Sequence, residues 1–343
     1  MGFTPWPFDA TSAAIDETWS ALHASGDLVS QHLEEGVPWP EAASGAPFPA
    51  SFEALLADRK KRANGARQLL SLNALDLSRT RLAGLRTDAI NAPLTPPWSG
   101  YALDDPAVIA AYLAYVRRVT DALGPAYIQT GIEVNLLRRD ADAAAWAQLV
   151  RLQCAIYGGL KDAGYTQPIS VSFVSTPFYQ PEKYDKQADL AGQRAALKDI
   201  EPCVDLVAWS VYPFVSGLLA DSIPDDYFAS FLDLTDKPQA ISESGYPAEV
   251  WSLPGGPTWT GTPEKQRHFA DLLLGEASSR ELRYVVWFAV RDYDALWAKP
   301  VSAGGLGQDN VSIVWRDTGL LDASGVKRAA WSRWQEAFSL PRR

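Results

Sequence analysis

The sequence predicts a (β/α)8 barrel, and three observations carry that expectation. Eight short apolar runs alternate with eight amphipathic helical stretches, and no element is left over. Strict alternation of this kind calls for parallel strands joined by crossover helices. The turn after the first strand is Thr4-Pro5-Trp6-Pro7, which cannot cradle a phosphate through backbone N–H groups as a doubly wound nucleotide fold requires. Finally, two of the runs end on a glutamate, Glu133 and Glu243, 110 residues apart (243 − 133). A carboxylate at the end of a buried strand is costly unless something nearby uses it, and parallel barrels carry their working side chains at that end.

Residues 2–8 read as a first short strand running into an aromatic, proline-stiffened turn. Thr11 caps a helix to about residue 24, with Ile15, Trp19 and Leu22 on one face. Residues 27–33 form the second strand and open into the polar and aromatic loop 34–40. A helix over 51–66 leads to the third strand, 68–75. The connection 76–104 has no clear period and holds Pro93, Pro96, Pro97 and Trp98; loops of that length are usually functional. Asp105 and Pro106 supply an N-cap and first-turn proline for a helix to about residue 123.

Strand four, 126–134, carries Glu133. A helix over 140–163, strand five at 168–174, a helix over 186–200 and strand six at 205–213 follow. Helix six falls near 224–233, and strand seven, beginning at Gln239, delivers Glu243 into a turn of Ser244, Gly245 and Pro247. Thr262-Pro263 opens helix seven. Residues 283–290 are strand eight, 291–324 a long loop, and 326–338 the final helix. All 343 residues read as one catalytic barrel domain.

Hydrophobic residues make up 47% and charged residues 21% of the chain, which permits a packed core. No apolar run approaches the ~20 residues of a membrane span. A formal net charge of −10 argues against nucleic acid or an anionic membrane surface as partner. Cys154 and Cys203 read as buried free thiols, and His23, His32 and His268 lack metal-ligand spacing. No signal peptide is present. A mature domain trimmed of its leader would look like this and so would a cytoplasmic protein, the exported one being favoured.

Three short motifs stand out: Gly-Ile-Glu-Val-Asn at 131–135, Ser-Val-Tyr-Pro at 210–213 and Ile-Ser-Glu-Ser-Gly-Tyr-Pro at 241–247. On these motifs and the strand layout, the chain resembles clan A of the glycoside hydrolases, distantly its endo-galactanase and endo-mannanase families. The resemblance implies a retaining hydrolase of β-linked oligo- or polysaccharides, needing no cofactor or metal. Glu133 would serve as acid/base and Glu243 as nucleophile, with carboxyl groups roughly 5–5.5 Å apart. Tyr212 would hydrogen-bond the nucleophile, and Trp287 would floor the sugar subsite. Clan members commonly place asparagine before the acid/base to grip the sugar 2-hydroxyl; Ile132 stands there, leaving Asn135 or Asn73 to take the contact. Gln31 and His32 occupy the end of strand two, where the clan has an arginine, and His32 is a further candidate for substrate hydrogen bonding.

Tryptophan supports a sugar cleft: the chain has 13, and sugar C–H faces stack on flat aromatic surfaces. Trp19, Trp146, Trp331 and Trp334 fall on helices as packing residues. Trp6, Trp39, Trp98, Trp251, Trp259, Trp297 and Trp315 fall in loops after strands, with Trp6, Trp39 and Trp98 the candidate subsites. The glycine-rich stretch 303–307 reads as a flexible flap. Two rival readings exist. A catalytically silent glycan-binding barrel would have lost one glutamate, and a phosphate-handling barrel would show a strand-end lysine or basic late loops; the sequence has neither signature.

Overall fold

A computed structural model describes residues 1–216, 223–252, 256, 258–302 and 311–341. The strands are β1 Gly2–Phe3, β2 Leu28–Leu33, β3 Arg67–Leu72, β4 Tyr127–Gln129, β5 Ile169–Val174, β6 Leu206–Val211, β7 Gln239–Ser244, β8 Val250–Ser252, β9 Thr258–Thr260 and β10 Val286–Trp287. The helices are α1 Ser12–Ser25, α2 Trp39–Ser44, α3 Ala50–Ala63, α4 Pro106–Leu123, α5 Asn135–Asp140, α6 Ala143–Asp162, α7 Pro181–Tyr184, α8 Leu190–Ile200, α9 Ala229–Leu232, α10 Pro263–Ser279, α11 Asp294–Ser302 and α12 Ala329–Ser339. Eight strands form one sheet in the order β10-β1-β2-β3-β4-β5-β6-β7, and a parallel bridge from Ile241 to Val285 joins its two ends. This is the expected (β/α)8 barrel. The hairpin β8–β9 is separate from it.

The chain packs as two compact units, one of Met1–Ser30, Ser175–Asp185 and Ser210–Arg343, the other of Gln31–Val174 and Lys186–Trp209. In the first, β1 pairs in parallel with both β10 and β2. Phe3 packs on Trp334 of α12 at 4.7 Å between ring centroids, and Trp334 Nε1 donates to Ser25 O at 2.8 Å. The predicted caps form here: Thr11 accepts from Ala14 N and Thr262 from Lys265 N. The stretch 291–324 departs from the expected loop, because α11 and a 3-10 turn at Val311–Trp315 occupy parts of it. The glycine-rich stretch 303–307 lies outside the described residues.

In the second unit β3, β4 and β5 pair in parallel. Past the exposed Arg67 these strands are buried on both faces, so that Gln68, Ser71, Gln129, Ser170 and Ser172 lie inside beside the apolar residues. Asp105 caps α4 through Ala107 N with Pro106 in the first turn, and Tyr112 of that helix donates to Thr130 O at 2.9 Å. The two cysteines are not free thiols. Cys154 on α6 and Cys203 after α8 form a disulfide, with Cα atoms 4.8 Å apart across a sequence separation of 49. That distance is inside the bridging range, and only the packing of α6 against the turn at Glu201–Cys203 creates it. Among the described residues no helix is long and apolar enough to cross a membrane.

Candidate active site

The second unit carries Glu133. Strand β4 ends at Gln129, and the chain stays beside β5 through Thr130 N to Ser170 O and Ser172 N to Gly131 O, both 2.9 Å. A Cβ at Gly131 would stand 2.7 Å from Val134 Cγ1, so any side chain there would force its neighbours to shift. Glu133 then adopts a left-handed φ of 54°, and its N–H donates to Ser172 Oγ at 2.9 Å. Such a conformation is uncommon outside glycine. It turns the carboxyl out at the strand end, where it stays partly exposed.

Two residues that the sequence does not announce belong here, Arg79 on that carboxyl and Glu34 behind Arg79. Arg79, from the loop after β3, reaches Glu133 Oε2 with Nη2 at 3.2 Å and Glu34 Oε1 with Nη1 at 2.6 Å. Glu34 follows β2. His32 Nε2 lies 2.8 Å from Glu34 Oε2, and Asn73 Nδ2 donates to Glu34 Oε1 at 3.0 Å. Burial pushes the Glu34 carboxyl up, but the Arg79 charge and the hydrogen bonds from His32 and Asn73 outweigh it. Together they hold Glu34 well below the usual carboxylate range.

Neither asparagine is available as the expected 2-hydroxyl contact. Asn73 Oδ1 accepts from Leu75 N and Ile132 N, and its Nδ2 is committed to Glu34 and Ile132 O. Asn135 is fully buried, donating to Gln193 Oε1 at 2.8 Å and accepting from Val174 N at 2.7 Å. Trp39 and Trp98 are also corrections. Trp39 is 0% exposed, donates to Ala83 O and stacks on the buried Trp98 at 5.5 Å. They anchor the loop after β3 onto Tyr112 of α4, where their large aromatic surface is buried in packing.

The first unit carries Glu243 on β7. Tyr212, just after β6, donates from Oη to Glu243 Oε2 at 3.4 Å. Its ring is held edge-on by Trp315 at 5.7 Å and Phe214 at 5.8 Å. Gly245 leaves room for this arrangement, since a Cβ would stand 2.6 Å from Phe288 O and 3.3 Å from the Tyr212 ring. Trp287, expected as the subsite floor, is 0% exposed. It packs between Phe269 of α10 and Trp334 of α12 and donates to Thr318 O at 2.9 Å. Its side chain therefore faces the helices. Successive strand residues point to opposite sides, and the next residue, Phe288, is the partly exposed one. Trp6 meets Phe288 edge-on at 5.5 Å and Tyr293 at 5.8 Å, and it is 41% exposed. Trp251 and Trp259 face each other across the β8–β9 hairpin at 4.9 Å.

Glu249, Asp292 and Asp317 bring carboxylate oxygens within 4.8 Å of one another. Arg328 already occupies the middle of that cluster, with Nη2 2.6 Å from Asp292 and 2.8 Å from Glu249. Arg316 bridges to Asp317 at 2.8 Å. The resident cations make this an ion-pair network that ties the late loops down.

No family model matches the sequence, and no curated protein does. Solved structures do. The exo-beta-1,4-mannosidase Op5Man5 from Opitutaceae bacterium strain TAV5 superposes with a TM-score of 0.65 at 17% identity, over 98% of this chain and 59% of that one. The chain thus spans less than two thirds of that enzyme's length. A GH5_18 variant from Streptomyces cattleya in complex with Manb1-4GlcNAc gives 0.67 at 16% identity, covering 99% of this chain and 81% of the other. A fungal beta-1,4-galactanase gives 0.55 at 17%, covering 94% and 90%. The fold is the barrel of the clan A glycoside hydrolases.

Proposed function

We propose that this chain is a retaining glycoside hydrolase acting on a β-linked oligo- or polysaccharide, with residues 1–343 as one catalytic domain. The observation that supports this reading is a partly exposed glutamate in each unit with its own polar partner, Glu133 four residues past β4 with Arg79 and Glu243 on β7 with Tyr212. In the first step Glu243 attacks the anomeric carbon. The glycosidic C–O bond breaks as Glu133 gives its proton to the leaving oxygen. In the second, Glu133 takes a proton from water, whose oxygen attacks the same carbon and releases Glu243. Tyr212 orients the nucleophile.

A β-mannoside is the proposed substrate class. Support comes from two fold relatives, an exo-beta-1,4-mannosidase and a structure in complex with Manb1-4GlcNAc. The Cys154–Cys203 disulfide fits an oxidising compartment, and so an exported protein. The test is a panel of aryl β-mannosides, β-glucosides and β-galactosides with the first-formed anomer read by NMR. The expected result is turnover of the mannoside with the β-anomer released first. Release of the α-anomer, or no turnover of any member, contradicts the reading.

A further inference from the structure

The guanidinium of Arg79 sits between two carboxylates, and its loop is built to hold it there. Asp76 N donates to Arg81 O and Arg79 N to Asp76 O, both at 2.9 Å. The Asp76 carboxylate accepts from Ser78 Oγ at 2.8 Å, Thr80 N at 3.1 Å and Arg81 Nε at 3.0 Å. Ala83 N to Ala74 O, at 2.8 Å, closes the base of the turn. Arg79 takes a left-handed φ of 60° at its tip, and its side chain is 7% exposed. A buried guanidinium cannot discharge, so its charge must be met locally.

The two carboxylates meet that charge unequally. Glu34 receives Nη1 at 2.6 Å and Nη2 at 3.1 Å, whereas Glu133 receives Nη2 at the longer 3.2 Å. Glu34 is further fixed by His32 and Asn73. Glu34 is therefore the resident counter-ion, and the bond to Glu133 is the one that can change without stranding a charge. A group that alternates between acid and base needs such a neighbour. Arginine answering to Glu133 alone would hold it ionised. Arginine already neutralised by Glu34 can donate to a Glu133 oxygen whether or not the proton is on the other oxygen.

We infer that Arg79, backed by Glu34, is the positioning residue of the acid/base, aiming the Glu133 carboxyl through both halves of the reaction. This rests on the proposed glycosidase activity. Main-chain contacts fix the backbone of Glu133, and Arg79 fixes its side chain. The role belongs to leaving-group protonation, so its loss must show most where protonation matters most.

The test compares phenyl and dinitrophenyl β-mannosides in the intact protein. Arg79→Met is expected to lose about 10²-fold in kcat/KM on the phenyl glycoside, the scale of a misplaced catalytic group. On the dinitrophenyl glycoside, whose leaving group needs no proton, it should lose no more than about fivefold. Arg79→Lys should recover part of the loss. In a Glu133→Ala background, Arg79→Met should add little, because the two act as a unit. Glu34→Gln/Arg79→Met removes both charges together and keeps the test open if the single variant fails to fold. Equal losses on both substrates, or full additivity with Glu133→Ala, would overturn the positioning role while leaving the glycosidase reading intact. A wild-type protein inert toward every aryl glycoside would remove both.

Discussion

Tyr212 Oη donates to Glu243 Oε2 across 3.4 Å, from a ring clamped edge-on by Trp315 and Phe214. The clamp fixes the direction of the hydroxyl without fixing its reach. A long bond in the resting protein is what a group should make when its partner's charge changes during the reaction. Tyr212→Phe should lower kcat by about tenfold, the lower end for a hydrogen bond to a charged group, with KM nearly unchanged. Steady-state kinetics alongside thermal unfolding would check this. An unchanged kcat would remove Tyr212 from the machinery.

Glu34 links the site to acid stability. Its folded-state proton affinity is lowered from the ordinary 4.5, so the unfolded chain takes up the proton first as pH falls. The stabilisation is complete above about pH 4.5 and is lost progressively as pH drops toward the folded value. Glu34→Gln should cost about 3–5 kcal/mol near neutrality, because Arg79 loses its principal counter-ion. That deficit should shrink below about pH 4. Thermal unfolding of both proteins from acid to neutral pH would show converging curves; parallel curves would contradict the assignment.

The aromatic corrections give opposite expectations for two tryptophans. Trp287→Ala should destabilise by about 3–5 kcal/mol, as for a large aromatic removed from a core. Trp6 is 41% exposed beside Phe288. Trp6→Ala should change stability by about 0.5 kcal/mol or less while raising KM about fivefold, through roughly 1 kcal/mol of lost apolar contact with the sugar. Chemical denaturation and kinetics on the two variants would separate the roles.

Much of the fold was legible because parallel strands buried on both faces write themselves as apolar runs. A carboxylate closing such a run, as at Glu243, is conspicuous. Strand β10 shows the limit of that reading. Strand β10 is only Val286 and Trp287, so a shift of one residue exchanges the helix-facing side for the other, and the sequence alone does not separate Phe288 from its larger neighbour. Arg79 left no periodic signal, since its place depends on the Asp76 turn within a stretch lacking regular structure. Glu34 looks like part of a polar loop for the same reason. The disulfide needed the three-dimensional approach of α6 and the turn after α8, which two cysteines 49 residues apart do not announce.

The most direct test of the central claim is azide rescue of two variants, with the product anomer identified by NMR. With Glu243→Ala and an aryl β-glycoside, azide should replace the missing nucleophile and give the α-glycosyl azide. With Glu133→Ala, the glycosyl-enzyme should still form from a dinitrophenyl glycoside, and azide should capture it as the β-glycosyl azide. The exchanged pattern would reverse the two roles. Failure of azide to accelerate either variant would contradict a double displacement by this pair.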